Sequence, residues 1–338
     1  LIFFRRYRPR MSRRFAILSL LLAGLLYTFQ APAPLVYTPG EGWSYELPGT
    51  TAKWRKAQAK DQLAVAQEAF EAKDYSTTVK ACAHLLRQWP LSDYAAAAQY
   101  LLGRGYEAQG KDERAFAAYQ QIFLKYPKSD QLADAARRQY QIASRFLAGQ
   151  RFHILWGYVP FFPSMEKTAG LFEKIVANGP YSAVAPHAQL RIGAAYEKQK
   201  NYPEAVAAYE RAADRYHDLP VIAADALYRA GMSYYKQALT AEYDQGTAGQ
   251  AIATFNDLIA LYPEDRRLPE VRRLIAGLKN EQARGNFKIA EFYARQKRWN
   301  GALIYYNEVL INGSESRYAA VARERIDLIK QRLPASPP

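Results

Sequence analysis

A single cysteine, Cys82, stands among 338 residues, so no intrachain disulfide can form, and stability must come from packing even in an oxidising compartment. Histidine is nearly as scarce. His84, His153, His187 and His217 lie scattered without metal-ligand spacing, and no second cysteine is present to complete a thiolate site. No glycine-rich phosphate loop of the GxxxxGK[ST] kind occurs, and no nucleophile is paired with a base. These absences argue against an enzyme, a cofactor and a bound metal. Long blocks of one charge sign are missing too, and no nucleic-acid motif accompanies the positive balance, so nucleic acid is not expected as a partner. With 18 prolines and 19 glycines in all, the chain has too little of either to be disordered.

The charge that is present is unevenly placed. Lys and Arg number 46 against 32 Asp and Glu, but Arg5, Arg6, Arg8, Arg10, Arg13 and Arg14 precede or open a hydrophobic leader. Without those six the balance is 40 against 32, or +8, which favours acidic partners or anionic lipid surfaces. Residues 1–33 read as an export signal: Arg13 and Arg14 form the charged end, Phe15 to Leu26 the apolar stretch, and Gln30-Ala-Pro-Ala33 a small-residue exit. The apolar run is shorter than the ~20 residues of a membrane span, which favours removal of the leader over its retention as an anchor. Pro39, Gly40, Gly42, Pro48 and Gly49 then mark 34–52 as a linker.

What the chain has in quantity is tyrosine, 26 in all, and it recurs with a beat. Gly103, Tyr106, Ala115 and Tyr119 repeat their spacing at Gly193, Tyr196, Ala205 and Tyr209, and again at Ala290, Tyr293, Ala302 and Tyr306. That is a tetratricopeptide-type repeat: small residues let paired helices approach and aromatics fill the gaps between them. Cys82 occupies the slot held elsewhere by Tyr119, Tyr209, Phe255 and Tyr306, which predicts a buried thiol. The expectation is an all-α tetratricopeptide-repeat solenoid over 53–333, of about six helix pairs with a C-terminal capping helix from Ser314 to Leu333, and a disordered tail at 334–338. Leu268 to Gln296 fits two helices or one bent one. Tyr106, Tyr196, Tyr234 and Tyr293 are expected in the core.

Helical periodicity turns other side chains away from that core, on the first helix of each pair, where solenoids line their concave face. Tyr100, Arg104 and Glu107, then Tyr228, Met232 and Tyr235, then Phe287 and Glu291 are the candidate groove residues. Aromatics mixed with Arg and Glu suit an extended or helical peptide, because rings give contact area at low entropy cost while charges fix register. Between the third pair's helices the loop carrying Phe152, Trp156, Tyr158, Phe161 and Phe162 is unusually apolar. It either reaches a membrane, partner or unfolded client, or folds back as a satellite core.

From Ala251-x3-Phe255-x2-Leu258-x3-Tyr262-Pro263 through Phe287-Lys-Ile-Ala-Glu-Phe-Tyr293 to Trp299 and Ala302-x3-Tyr306, the chain resembles the BamD-type tetratricopeptide lipoproteins of the outer-membrane β-barrel assembly machine. Phe70-Glu-Ala-Lys-Asp-Tyr75 and Trp89-Pro-Leu-Ser92 resemble that family's opening repeat. The resemblance implies a non-catalytic scaffold in the periplasm, associated with the inner leaflet of the outer membrane. Its partners would be the β-barrel assembly platform protein and unfolded outer-membrane proteins. The docking surface would comprise Arg295, Arg298 and Trp299, whose cations pair with acids on the platform. Two departures stand out: Leu25, not a lipobox cysteine, follows Gly24, and six units replace the family's usual five. The alternative is a periplasmic tetratricopeptide organiser of cell-envelope constriction, of the type associated with Tol-Pal. No sustained heptad run precedes Lys53 to support it.

Overall fold

The computed structural model describes residues 35–38, 42–45, 54–154, 159–160, 163–240 and 245–332. The export-signal reading, the tail 334–338, and Trp156, Tyr158, Phe161 and Phe162 lie outside them. Among the described residues the chain order gives thirteen helices, six consecutive pairs by sequence and a last single helix. The pairs are α1 (Ala59–Glu71) with α2 (Tyr75–Gln88), α3 (Ala95–Ala108) with α4 (Asp112–Lys125), and α5 (Leu132–Leu147) with α6 (Met165–Asn178). They continue with α7 (Ala185–Lys198) and α8 (Tyr202–Arg215), α9 (Pro220–Thr240) and α10 (Gln245–Leu261), and α11 (Leu268–Arg295) and α12 (Trp299–Asn312). Helix α13 (Arg317–Arg332) follows. The chain forms two compact units, 1–105 and 106–338, whose boundary falls within α3.

Within the second unit each helix from α4 onward packs on the next, and α5 on α7, α7 on α9 and α11 on α13 pack one helix further along. This next-neighbour pattern is the signature of stacked helix pairs. Two short antiparallel hairpins are added. Leu35–Thr38 pairs with Gly42–Tyr45 inside the segment read as linker, and His153–Ile154 pairs with Val159–Pro160 inside the aromatic loop.

The turns within pairs share one device. Lys73, Gly110, Gly149, Lys200 and Lys297, each two residues past the first helix, all have positive φ, between 57° and 115°. In every case the next residue's N–H reaches back across the turn, as in Asp74 N–H to the Ala69 carbonyl at 2.8 Å and Asn201 N–H to the Tyr196 carbonyl at 3.0 Å. Orphan carbonyls are thereby satisfied and the chain reverses into the second helix. A left-handed backbone costs an L-residue with a Cβ ~1–2 kcal/mol, partly offset by glycine's greater entropy loss. Lys73→Gly, Lys200→Gly and Lys297→Gly are therefore each expected to stabilise by about 0.5–1 kcal/mol, read as a higher urea midpoint. A lower midpoint would contradict this account of the turns. Two second helices carry a side-chain cap: in α2 Asp74 accepts from Thr77 N–H at 3.0 Å, and in α6 Ser164 accepts from Lys167 N–H at 3.2 Å.

Cys82, Tyr119, Tyr209, Phe255 and Tyr306 are all essentially inaccessible, as their shared repeat slot requires. Burial pushes the Cys82 thiol up to about 12, so it is inert packing. His84 is likewise a packing residue, edge-on to both Trp54 and Trp89 at 5.9 Å. Of the two alternatives for Leu268 to Gln296 the single helix holds: Leu268–Arg295 is continuous, because Gly277 and Gly285 each cost an interior position only ~1 kcal/mol, which its packing on α10, α12 and α13 outweighs. One expectation needs correction: Tyr106, Tyr196, Tyr234 and Tyr293 are only half-buried. Tyr196, Tyr234 and Tyr293 pack against the buried clusters, with Tyr234 donating to Glu210 at 3.0 Å and Tyr293 stacking on Tyr305 at 5.6 Å.

A line of buried carboxamides was not anticipated. Four residues before the small residue in five of the six first helices stand Gln62, Gln99, Gln139, Gln189 and Asn286, all buried, while α9 has Leu227 there. Gln62 Nε2 donates to the Ala81 carbonyl at 3.3 Å and Gln189 Nε2 to the Ala208 carbonyl at 3.0 Å, each tying a first helix to its own partner. Gln139 instead donates to the Phe116 carbonyl of α4 at 3.3 Å and joins Gln120 and Asn178 in a mutual side-chain network.

Candidate functional site

The three groups of predicted groove residues have different fates. On α3, Tyr100 is half-buried, and Arg104 lies over the Phe70 ring, its guanidinium carbon 4.7 Å from the centroid. Glu107 is taken up inside the fold, accepting from Tyr119 Oη at 3.0 Å, Arg138 at 3.2 Å and Arg145 at 3.4 Å. Arg145 also pairs with Asp112 at 2.8 Å. A carboxylate holding three donors has little left to offer a partner, which corrects its assignment to the groove.

On α9, Met232 and Tyr235 pack half-buried against the core formed with α10 and α11. Tyr228 donates to Glu270 at 3.2 Å beneath Arg267, whose guanidinium carbon sits 4.5 Å from the ring centroid. Arg267 in turn bonds Asp225 and Asp265 at 2.7 Å. Hydrogen bonds from the Arg267 side chain hold the Asp265 carboxyl below the usual carboxylate range, against the opposing effect of burial. Beside this cluster opens a largely apolar cleft of about 750 Å³ whose walls include Leu190, Val221, Ile222, Leu261, Tyr262 and Arg267. Val221 and Leu261 are well exposed at its rim.

The third group meets the predicted docking surface. Glu291, Arg295 and Trp299, placed by sequence in two separate surfaces, line one pocket of about 330 Å³ with Ala294, Tyr306 and Arg325. Leu328 and Ile329 of α13 supply its apolar wall. Arg298 stands outside it, exposed at the position preceding α12. Phe287 is not on this surface: it packs against Tyr306 at 5.5 Å and Tyr318 at 5.4 Å, because α13 closes over it. Burial first, and then the Glu291 carboxylate, push the Tyr306 phenol up, while Arg325 pulls it down. Sequence reasoning placed Tyr306 in the core and did not select Ala294, Arg325 or Leu328. The available signal was the comparison of equivalent positions between repeats.

In the aromatic loop, Phe152 folds back. It is buried, stacks on Phe146 at 4.2 Å with 12° between planes, and carries Lys167 5.6 Å from its centroid. The satellite-core alternative holds for that residue.

Among the described residues no group of His, Cys, Asp and Glu could hold a metal ion, and no helix is long and apolar enough to cross a membrane.

These features define the class: the chain is an all-α tetratricopeptide-repeat protein, and residues 97–129, covering most of α3 and α4, match the tetratricopeptide-repeat family model. Residues 164–322, from the start of α6 into α13, match the YfiO model, described as outer membrane lipoprotein, over just under half of the chain. No curated protein matches. Similar solved structures include the C-terminal part of a tetratricopeptide-repeat protein from Cytophaga hutchinsonii, at 16% identity over 78% of this chain and 87% of that one, with a TM-score of 0.35. A tetratricopeptide-repeat protein from Parabacteroides merdae shares 15% identity over 80% of this chain and 98% of its own, with a TM-score of 0.33. MamA from Desulfovibrio magneticus shares 13% over 62% and 97%, with a TM-score of 0.32.

Proposed function

We propose that this protein is a non-catalytic, BamD-like scaffold of outer-membrane β-barrel assembly, working in the periplasm against the outer membrane. The observation that carries the reading is the match of residues 164–322 to the outer membrane lipoprotein model, over the helices that bring Glu291, Arg295 and Trp299 together. The C-terminal repeats would dock on the assembly platform, with Arg295, Arg298 and Trp299 meeting its acidic groups. Tyr100 in the first unit and, separately, Tyr228, Met232 and Tyr235 in the second are half-buried side chains, and each surface would offer apolar contact to a segment of an unfolded barrel client, with neighbouring charges setting its register.

Photo-crosslinking residues placed at Arg298 and Tyr100 in living cells test both halves. Arg298 is expected to capture the platform, and Tyr100 barrel precursors. Recovery of neither would overturn the reading.

A further inference from the structure

Two of the chain's repeats solve the same problem in the same way. The second helix buries a tyrosine, and its hydroxyl donates to a glutamate twelve residues earlier on the first helix: Tyr119 to Glu107 and Tyr209 to Glu197, both at 3.0 Å. The next first helix then supplies the cations that balance that carboxylate. Arg138 and Arg145 of α5 serve Glu107, and Lys236 of α9 serves Glu197. The acid, phenol and cation form one unit across three helices.

The last repeat keeps the phenol and the cation but lacks the acid. Tyr306 is buried in the equivalent slot, Arg325 stands on the following helix α13, and twelve residues before Tyr306 the chain has Ala294. Where the carboxylate would stand there is open volume, the pocket of about 330 Å³. Its charge is complementary to what is missing. Arg295 and Arg325 face a single carboxylate, Glu291, which sits at helical i,i+4 spacing from Arg295. The apolar side of the opening is formed by Trp299 and by Leu328, which is 38% exposed.

We infer that this pocket receives an acidic side chain, Asp or Glu, from a partner protein. That carboxylate takes the place of the absent intrachain glutamate, accepting from Tyr306 Oη and pairing with Arg325, while an adjacent apolar residue of the partner rests on Trp299 and Leu328. The inference rests on the docking role proposed above for the C-terminal repeats and gives that role a specific receptor. Charge-assisted hydrogen bonding to a phenol and a guanidinium in a confined pocket discriminates carboxylate from carboxamide, which supplies neither the charge nor an equivalent acceptor pair.

The full chain labelled with 5-fluorotryptophan, its Trp299 resonance assigned through Trp299→Phe, is titrated with acetyl-Leu-Glu-Leu-amide and with the glutamine version. The glutamate peptide is expected to shift that resonance at concentrations at least roughly tenfold lower. Ala294→Glu, which refills the pocket from within, is expected to abolish the preference while leaving the thermal midpoint unchanged or higher. Arg325→Gln is expected to abolish it without refilling the pocket, so the test survives if one variant folds poorly. Equal response to the two peptides, or an undiminished preference in a folded Ala294→Glu protein, would overturn the inference. A preference that emerges only after residues 333–338 are deleted would give the pocket to the chain's own end and overturn it as well. In envelope copurification, platform recovery is expected to fall roughly tenfold for Ala294→Glu. Equal recovery by wild type and variant sinks the pocket's role and leaves the docking reading standing. No recovery by wild type, with the peptide preference intact, sinks the docking reading and leaves the pocket.

Discussion

Gly231→Ala is expected to destabilise the fold by about 2 kcal/mol, although alanine is the better helix former. A Cβ at position 231 would lie 2.5 Å from Phe255 Cε1 and 2.6 Å from Cδ1, closer than real carbons approach, and Phe255 is fully buried with nowhere to retreat. Overpacking of this kind costs ~3 kcal/mol at its upper range, and the helical propensity gained returns ~1. Gly277 in α11 is the control. Nothing lies within 4 Å of its would-be Cβ, so Gly277→Ala should gain up to ~1 kcal/mol. Urea unfolding of the two variants separates the explanations. If both shift in the same direction, close approach is not what Gly231 provides. Trimming the ring in a Gly231→Ala, Phe255→Leu double variant should cost less than the sum of the single changes, since each relieves what the other creates. Gly193 faces Tyr209 at the same 2.5 Å and should behave likewise.

Arg267→Ala is expected to cost about 2 kcal/mol at neutral pH, through the carboxylates it leaves behind. The guanidinium serves Asp225 and Asp265 at 2.7 Å and covers the Tyr228 ring. Its side chain is 21% exposed and those of its partners 27% and 11%, so the penalty falls below the ~3–5 kcal/mol of a fully buried pair. The pH dependence has a definite sign. Asp265 titrates below its ordinary value in the folded state, so its contribution is complete above the unfolded value of ~4 and is lost as pH falls through the lower folded one. The gap in unfolding free energy between wild type and Arg267→Ala should therefore be widest near neutrality and narrow on acidification below about pH 4. A gap that stays constant to pH 3 would remove Asp265 from the account.

Much of the fold was legible because the repeat writes the same geometry several times. The spacing of Gly193, Tyr196, Ala205 and Tyr209 sets which residues touch, and Met165–Asn178 begins and ends where its cap and its Gly-Pro stop predict. The turns were less transparent. Lys73, Lys200 and Lys297 adopt a backbone that lysine does not favour, and only their alignment with Gly110 and Gly149 betrays it. The carboxamide line escaped notice because a lone glutamine on a helix reads as a solvated residue, and burial depends on a neighbour's carbonyl being in reach. Side-chain direction on a helix told which face Glu107 and Phe287 occupy. It could not tell that Arg145 and Tyr318 would arrive there from the next helices to claim them. The C-terminal pocket was half visible: Glu291, Arg295 and Trp299 were each singled out, but the vacancy that unites them is an alanine, a residue that draws no attention unless the repeats are superposed.

The buried carboxamides carry a mechanical consequence. Hydrocarbon surfaces tolerate creep, since leucine against leucine is worth much the same one residue further along. A helix pinned through Gln62 or Gln189 has no such freedom, because sliding past its neighbour would strand a desolvated amide without its carbonyl. Each of those pairs is therefore keyed like a dowelled joint, and strain applied to it is expected to tilt or part the joint before it shears.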